Sequence, residues 1–187
     1  MVVGIDYSMS SPAMCLLADD KTFANSHHYF LTDRKTVANS TIDHIHCELH
    51  KPYAKNGPGE IGRFTNIANY FIDVLKDLER GKTIRVFIED YSMGSKGRVF
   101  NIAENTAILK YRLNESAIGF ITIPPTVIKK FAAGKGNADK EMMYKAFLDR
   151  NNPDIKRYYA KSEAKVSSPV SDLVDAYFIA LLGSERY

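Results

Sequence analysis

The first ten residues, MVVGIDYSMS, constrain the fold more than any other stretch. Val2-Val3-Gly4-Ile5 is a short continuous apolar run that ends on Asp6 and then breaks into polar, turn-prone residues and the Ser10-Ser11-Pro12 turn. A run of this length and composition reads as a strand covered on both faces. A carboxylate at the end of such a strand is costly to bury unless a cation or hydrogen bonds accompany it. Asp6 therefore asks for partners elsewhere in the chain.

Two other stretches present acids in comparable settings. Thr83 to Asp90, TIRVFIED, is a β-branched and aromatic run that also ends on acid. Ser171 to Leu182 is an apolar helix whose charges, Asp172 and Asp175, sit at its start. Three residues apart at ~100° per residue, their side chains fall on neighbouring stripes of one helix face. The helix macrodipole accounts for an acid in a first turn. Asp175 needs more than that, because it heads the apolar face that continues through Phe178, Ile179 and Leu182.

A chain of 187 residues with 45% hydrophobic content supports one substantial core. The expectation is a single domain over 1–187 with a loop or edge-strand insertion around 33–60. No stretch approaches the roughly 18 apolar residues of a membrane span, and the N-terminus reads as an acid-bearing strand, so a cytoplasmic chain with no membrane partner is expected. Cys15 and Cys47 form no CxxC pair, which argues against a disulfide framework. Between Val127 and Lys165 lie ten basic and five acidic side chains, a local excess of positive charge in a chain of net charge +3. A basic segment beside an acidic cluster suits a polyanion-binding metalloenzyme, although a solvated helix face explains many of the same lysines.

Along the chain, strands are expected at Val2–Ile5, Ala13–Ala18 and His27–Thr32, forming an antiparallel meander. In Thr41 to Leu49, Ile45, Cys47 and Leu49 alternate with His44, His46 and Glu48, a pattern compatible with an extra edge strand. From Glu60 the period turns helical through Ile61, Phe64, Ile67, Phe71, Val74, Leu75 and Leu78, and Gly81 stops it. The strand ending at Glu89 is followed by a Gly/Ser/Lys loop and a helix over Val99–Glu115 with Val99, Ile102, Thr106, Leu109 and Leu113 inward. A strand over Gly119–Ile123 ends at Pro124-Pro125, and helices follow around Val127–Phe131, over Ala138–Leu148 and at the C-terminal end; residues 151–169 read as irregular. This order predicts an α/β fold with a central mixed five-stranded sheet flanked by helices on both faces.

Gly4-Ile5-Asp6, then Ile88-Glu89, then Pro124-Pro125-Thr126-Val127-Ile128-Lys129 running into Gly134-Lys135-Gly136-Asn137-Ala138-Asp139-Lys140, and finally Asp172-Leu173-Val174-Asp175-Ala176 together resemble the RuvC family of Holliday junction resolvases, nucleases with a ribonuclease H-like fold. The likeness spans almost the whole chain in the right order. It implies that Asp6, Glu89, Asp172 and Asp175 hold two divalent cations, Mg²⁺ or Mn²⁺, and that Lys140 joins them in catalysis. Carboxylate oxygen is the donor such hard cations prefer, and two of them neutralise four carboxylates. The resemblance further implies hydrolysis of branched DNA at four-way junctions to 5′-phosphate and 3′-hydroxyl ends, a homodimer with one site per cut strand, and a place in the cytoplasm of a bacterial or phage-infected cell.

The resemblance places Lys129 or Lys130, with Lys135 and Lys140, where the family meets the phosphate backbone, and Asn137 is a DNA-binding candidate as the cap of the following helix, whose N-terminus attracts phosphate. Tyr91, Met93, Lys96 and Arg98 are further DNA-binding candidates. The sequence departs from the family at Ser92, where an aromatic wedge is usual; Tyr91, Met93 or Phe100 is the available substitute. Asp90 is an additional acid, which either turns away from Glu89 by strand alternation or joins it in metal binding. Two readings stand beside junction resolution: a broader flap or Y-fork nuclease, and a junction-binding protein that does not cut. His44-x-His46-Cys47-x-x-His50 holds zinc-capable side chains, but its spacing matches no standard structural site, and alternation explains His44 and His46 as one exposed strand face.

Overall fold

In the computed structural model, which describes residues 1–38, 42, 44–50, 58–78, 83–91, 99–159 and 164–187, the apolar runs pair into one mixed sheet. Its strands are β1 (Val2–Asp6), β2 (Ala13–Leu17), β3 (His27–Thr32), β4 (Ile45–Leu49), β5 (Arg85–Glu89) and β6 (Phe120–Ile123), in the order β4-β3-β2-β1-β5-β6. β1, β2 and β3 form the antiparallel meander, while β5 and β6 extend the sheet in parallel from β1. The sheet has six strands where five were expected. The sixth is β4, which runs parallel to β3 and realises the alternation read in Ile45 to Leu49.

The described helices are α1 (Lys35–Ala38), α2 (Pro58–Leu78), α3 (Val99–Glu115), α4 (Pro125–Ala133), α5 (Lys140–Leu148), α6 (Lys156–Tyr159) and α7 (Val170–Arg186). The two-residue period of the strands sorts them into layers. Val3, Ile5, Met14, Leu16, Val86 and Ile88 pack with Phe71, Leu75, Leu109 and Leu113 of α2 and α3. Ala13, Cys15, Leu17, Phe30 and Phe87 pack with Ile128, Phe147, Val174 and Phe178 of α4, α5 and α7. α1 and α6 were not expected; each has four residues, too short for a periodic signal.

One close approach fixes where α7 lies. A Cβ on Gly4 would stand 2.3 Å from both the Ala176 carbonyl oxygen and the Ala180 nitrogen. Glycine in the strand, opposite alanines in the helix, lets α7 cross β1 nearly backbone to backbone. Its first two turns, with Asp172 and Asp175, are thereby brought over the end of β1.

Three helix expectations are corrected at their ends. Ile61 and Val99, both expected inward, are 48% and 40% exposed, because the first turns of α2 and α3 carry them past the edge of the sheet's covered face. α5 begins at Lys140 and not at Ala138. Asp139 holds its N-cap, its carboxylate accepting from the Met142 nitrogen at 2.9 Å, so the capping expected of Asn137 falls to Asp139, three residues before the free amide it serves. No described helix is long and apolar enough to cross a membrane.

Candidate active site

β1 and β5 are parallel neighbours with Ile5 opposite Ile88, so the next residues, Asp6 and Glu89, emerge from adjoining strand ends. Strand neighbours lie about 4.8 Å apart and registered residues share a face, which here is the face covered by α7. Asp6, Glu89 and Asp175 line one cleft of about 450 Å³, walled by Tyr7 to Ser10 after β1, Ile102 and Thr106 of α3, Lys129 of α4, and Lys140 and Met143 of α5. Asp172 lies one helical turn before Asp175 and is 7% exposed.

The electrostatics of this group are those of like charges held together out of water. Burial raises the Asp6 carboxyl well above its usual range, and Glu89, Asp172 and Asp175 add to the effect while Lys140 opposes it. Burial pushes Glu89 up to about 7, with Asp172 contributing and Lys129 opposing. Asp175 is pushed up to about 8 by burial, then by Glu89 and Asp172, against Lys129 and Lys140. Asp172 is raised by burial and eased by the nearby hydroxyls of Ser168 and Ser11, by Lys140 and by Ser171. Four carboxyls from three separate elements thus feel one another, as only groups in one low-dielectric site do.

Two lysines enter this field. Lys140 Nζ donates to Ser171 Oγ at 3.2 Å, and Ser171 Oγ donates to Asp172 Oδ1 at 3.2 Å. Lys129 acts on both Glu89 and Asp175. Lys130, Lys135 and Asn137 are exposed and do not line the cleft. Tyr91 lines it, with Lys110 Nζ 4.5 Å from its ring centroid. Asp90, which alternation would turn to the opposite face from Glu89, also lines the cleft and pairs with Lys110 at 3.8 Å; β5 ends at Glu89, and strand alternation ends with it. Met93, Lys96 and Arg98, like Ser92, lie outside the described residues.

Ser171, Ser11 and Lys110 were not singled out in the sequence. Ser171 adjoins Asp172, which was a usable signal; Lys110, half-buried on α3, carried none.

The donor set fits hard divalent cations: carboxylate oxygens only, mutually repelling, with Asp172 Oδ2 buried and without a hydrogen-bond partner among the described residues. No three His, Cys, Asp or Glu side chains among the described residues already close around one ion position. The acids share a cleft, and an ion would have to draw their side chains inward. The histidines diverge. His44 lies against Phe23 and His28, His46 stacks on Tyr29, and His50 bonds the Ser10 carbonyl. The single exposed face expected for His44 and His46 is corrected, since His44 precedes β4 and its ring turns toward Phe23.

No family model and no curated protein sequence matches the chain. Solved structures do. Thermus thermophilus RuvC superposes with a TM-score of 0.55 at 18% identity, over 98% of this chain and 93% of that one. T. thermophilus RuvC in complex with Holliday junction substrate gives 0.53 at 18% identity, with the same coverage. The yeast mitochondrial Holliday junction resolvase Ydc2 gives 0.52 at 12% identity, over 96% of this chain and 75% of that one. The chain has the RuvC-like, ribonuclease H-like fold.

Proposed function

We propose that this chain is a structure-selective DNA endonuclease that resolves four-way junctions by metal-dependent phosphodiester hydrolysis, leaving 5′-phosphate and 3′-hydroxyl ends. The observation that carries the reading is the convergence of Asp6, Glu89 and Asp175 on one lysine-rimmed cleft, with Asp172 electrostatically tied to all three. Likeness to resolvases in fold supports the choice of substrate.

Asp6, Glu89, Asp172 and Asp175 would hold two Mg²⁺ or Mn²⁺ ions, which supply water activation and neutralise charge on the leaving oxygen. The chain's own groups do the rest. The carboxylates concentrate negative charge about the cleft, and Lys129 would offer a cation to the scissile phosphate from the α4 side. Lys140, tethered through Ser171 to Asp172, offers one from the α5 side. The exposed Lys130 and Lys135 would follow the backbone beyond the cut, and Lys129 and Lys140 would set the salt dependence of binding. Phe100, 84% exposed near the start of α3, is the better candidate to stack on an unpaired base, since Tyr91 is engaged by Lys110. A homodimer would present one cleft to each of two strands.

The test is incubation of a synthetic four-way junction with the protein and Mg²⁺, beside flap and Y-fork substrates. Paired symmetric nicks in the four-way substrate are expected. Retention on a gel without nicks refutes the nuclease reading, and preferential flap cutting refutes the junction assignment.

A further inference from the structure

The segment after Asp6 is held from outside the cleft. Tyr7 to Ser10 form its wall directly after Asp6, and Ser11 follows them, its buried Oγ without a hydrogen-bond partner among the described residues. Within the turn, the Ser11 nitrogen donates to Ser8 Oγ at 3.0 Å, and its end is tied by the Leu31 nitrogen donating to the Pro12 carbonyl at 3.1 Å. Its middle is tied by two side chains from elsewhere. Arg63 of α2, 6% exposed, donates from Nη1 to the Met9 carbonyl at 2.6 Å. His50, just past β4, meets the Ser10 carbonyl through Nε2 at 3.1 Å.

The chemistry of these groups fixes the direction of each bond. A carbonyl only accepts, so His50 Nε2 carries the hydrogen that meets Ser10. Arg63 Nη2 stands over the same ring, 3.2 Å from Nδ1 and 3.4 Å from Nε2, and in the neutral tautomer that bonds Ser10 it is Nδ1 that accepts. Guanidinium has donors only, which agrees with that assignment. The chain of bonds runs from Arg63 to Met9, from Arg63 to His50 and from His50 to Ser10. Asp33 and Glu60 supply balancing negative charge to the buried guanidinium.

We infer that Arg63 and His50 are positioning residues for catalysis: through the Met9 and Ser10 carbonyls they hold the β1–β2 turn, and with it the cleft wall that continues from Asp6. The inference rests on the nuclease reading of the acid cleft. It assigns a role in cleavage to two side chains that touch neither ion nor DNA. Displacements near 1 Å in a catalytic constellation lower rates about 100-fold, so a loosened turn is felt in the chemical step.

The experiment compares wild type, Arg63→Met, Arg63→Lys and His50→Ala. It measures single-turnover cleavage of a saturating four-way junction in Mg²⁺, junction Kd in Ca²⁺, and amide hydrogen exchange over residues 7–11. Arg63→Met is expected to cut about 10- to 100-fold more slowly with Kd within about twofold. Lys, able to reach one carbonyl, recovers part of the rate, and exchange quickens in the turn while the α2 core keeps its protection. His50→Ala, at a less buried site, repeats the pattern more mildly should Arg63→Met fail to fold. Normal cleavage in both variants, or loss of binding in step with rate, overturns the inference. If wild type itself does not cut, the nuclease reading falls, and exchange alone judges the clamp: unaltered protection of the turn in both variants overturns it.

Discussion

Replacing Glu89 with Gln tests the electrostatics of the cleft directly. The carboxyl ordinarily titrates near 4.5 and is pushed to about 7 in the fold, by burial first and Asp172 second. At about 1.4 kcal/mol per pH unit, holding its charged form there costs roughly 3 kcal/mol. The sign follows from proton linkage. The folded state binds the proton more tightly than the unfolded one, so stability is greatest below about pH 4.5, falls as pH rises through about 7, and levels off above. An amide keeps the shape and has no charge to desolvate. Metal-free Glu89→Gln should therefore match wild type at pH 4 and exceed it at pH 8.5 by up to roughly 3 kcal/mol. For a chain of this size that is a rise in Tm of about 6–12 °C. Adding Mg²⁺ should raise the wild-type Tm and narrow the gap, because an ion bound to the native state stabilises it by mass action. Scanning calorimetry of both proteins at the two pH values, with and without Mg²⁺, reads all of this. A Tm for Glu89→Gln below wild type at pH 8.5, or an equal gap at both pH values, would falsify the argument.

Three shorter expectations follow from the same geometry. Asp6→Asn should abolish junction cleavage while leaving gel-shift affinity equal or higher, since one fewer carboxylate repels the phosphate; retained cutting would remove Asp6 from the site. Lys140→Ala should weaken junction binding and reduce the slope of log K against log salt by about one, read by titration at several salt concentrations. Gly4→Ala should destabilise the protein by about 1–3 kcal/mol or more in denaturant unfolding, because the added methyl meets the α7 backbone, which cannot step aside as a side chain could.

Much of the layer plan is local and was legible in the sequence. Short apolar runs bounded by turn residues marked most strands, alternation marked β4, and the period near 3.6 from Phe64 to Leu78 and from Ile102 to Leu113 marked two helices that cover one face. Both periodicities act over a few residues and need no partner to be seen. Asp6, Glu89, Asp172 and Asp175 stood out for the same reason, as acids at the edges of apolar runs. Helix ends were less legible, because Ile61 and Val99 obey the period yet lie beyond what the sheet covers.

What the chain alone determined, then, was where the strands and the longer helices lie, and which acids sit where charge is expensive. Only the tertiary structure decided that β5 lies beside β1 in parallel, that α7 can descend onto Gly4, and that Lys129 and not Lys130 faces the acids. Each of those depends on contacts between segments tens of residues apart. Arg63 illustrates the limit: an arginine on an amphipathic helix looks like solvated charge until the turn it bonds, 54 positions earlier, is brought beside it. Periodicity reports which way a side chain faces, and packing alone reports what it meets there.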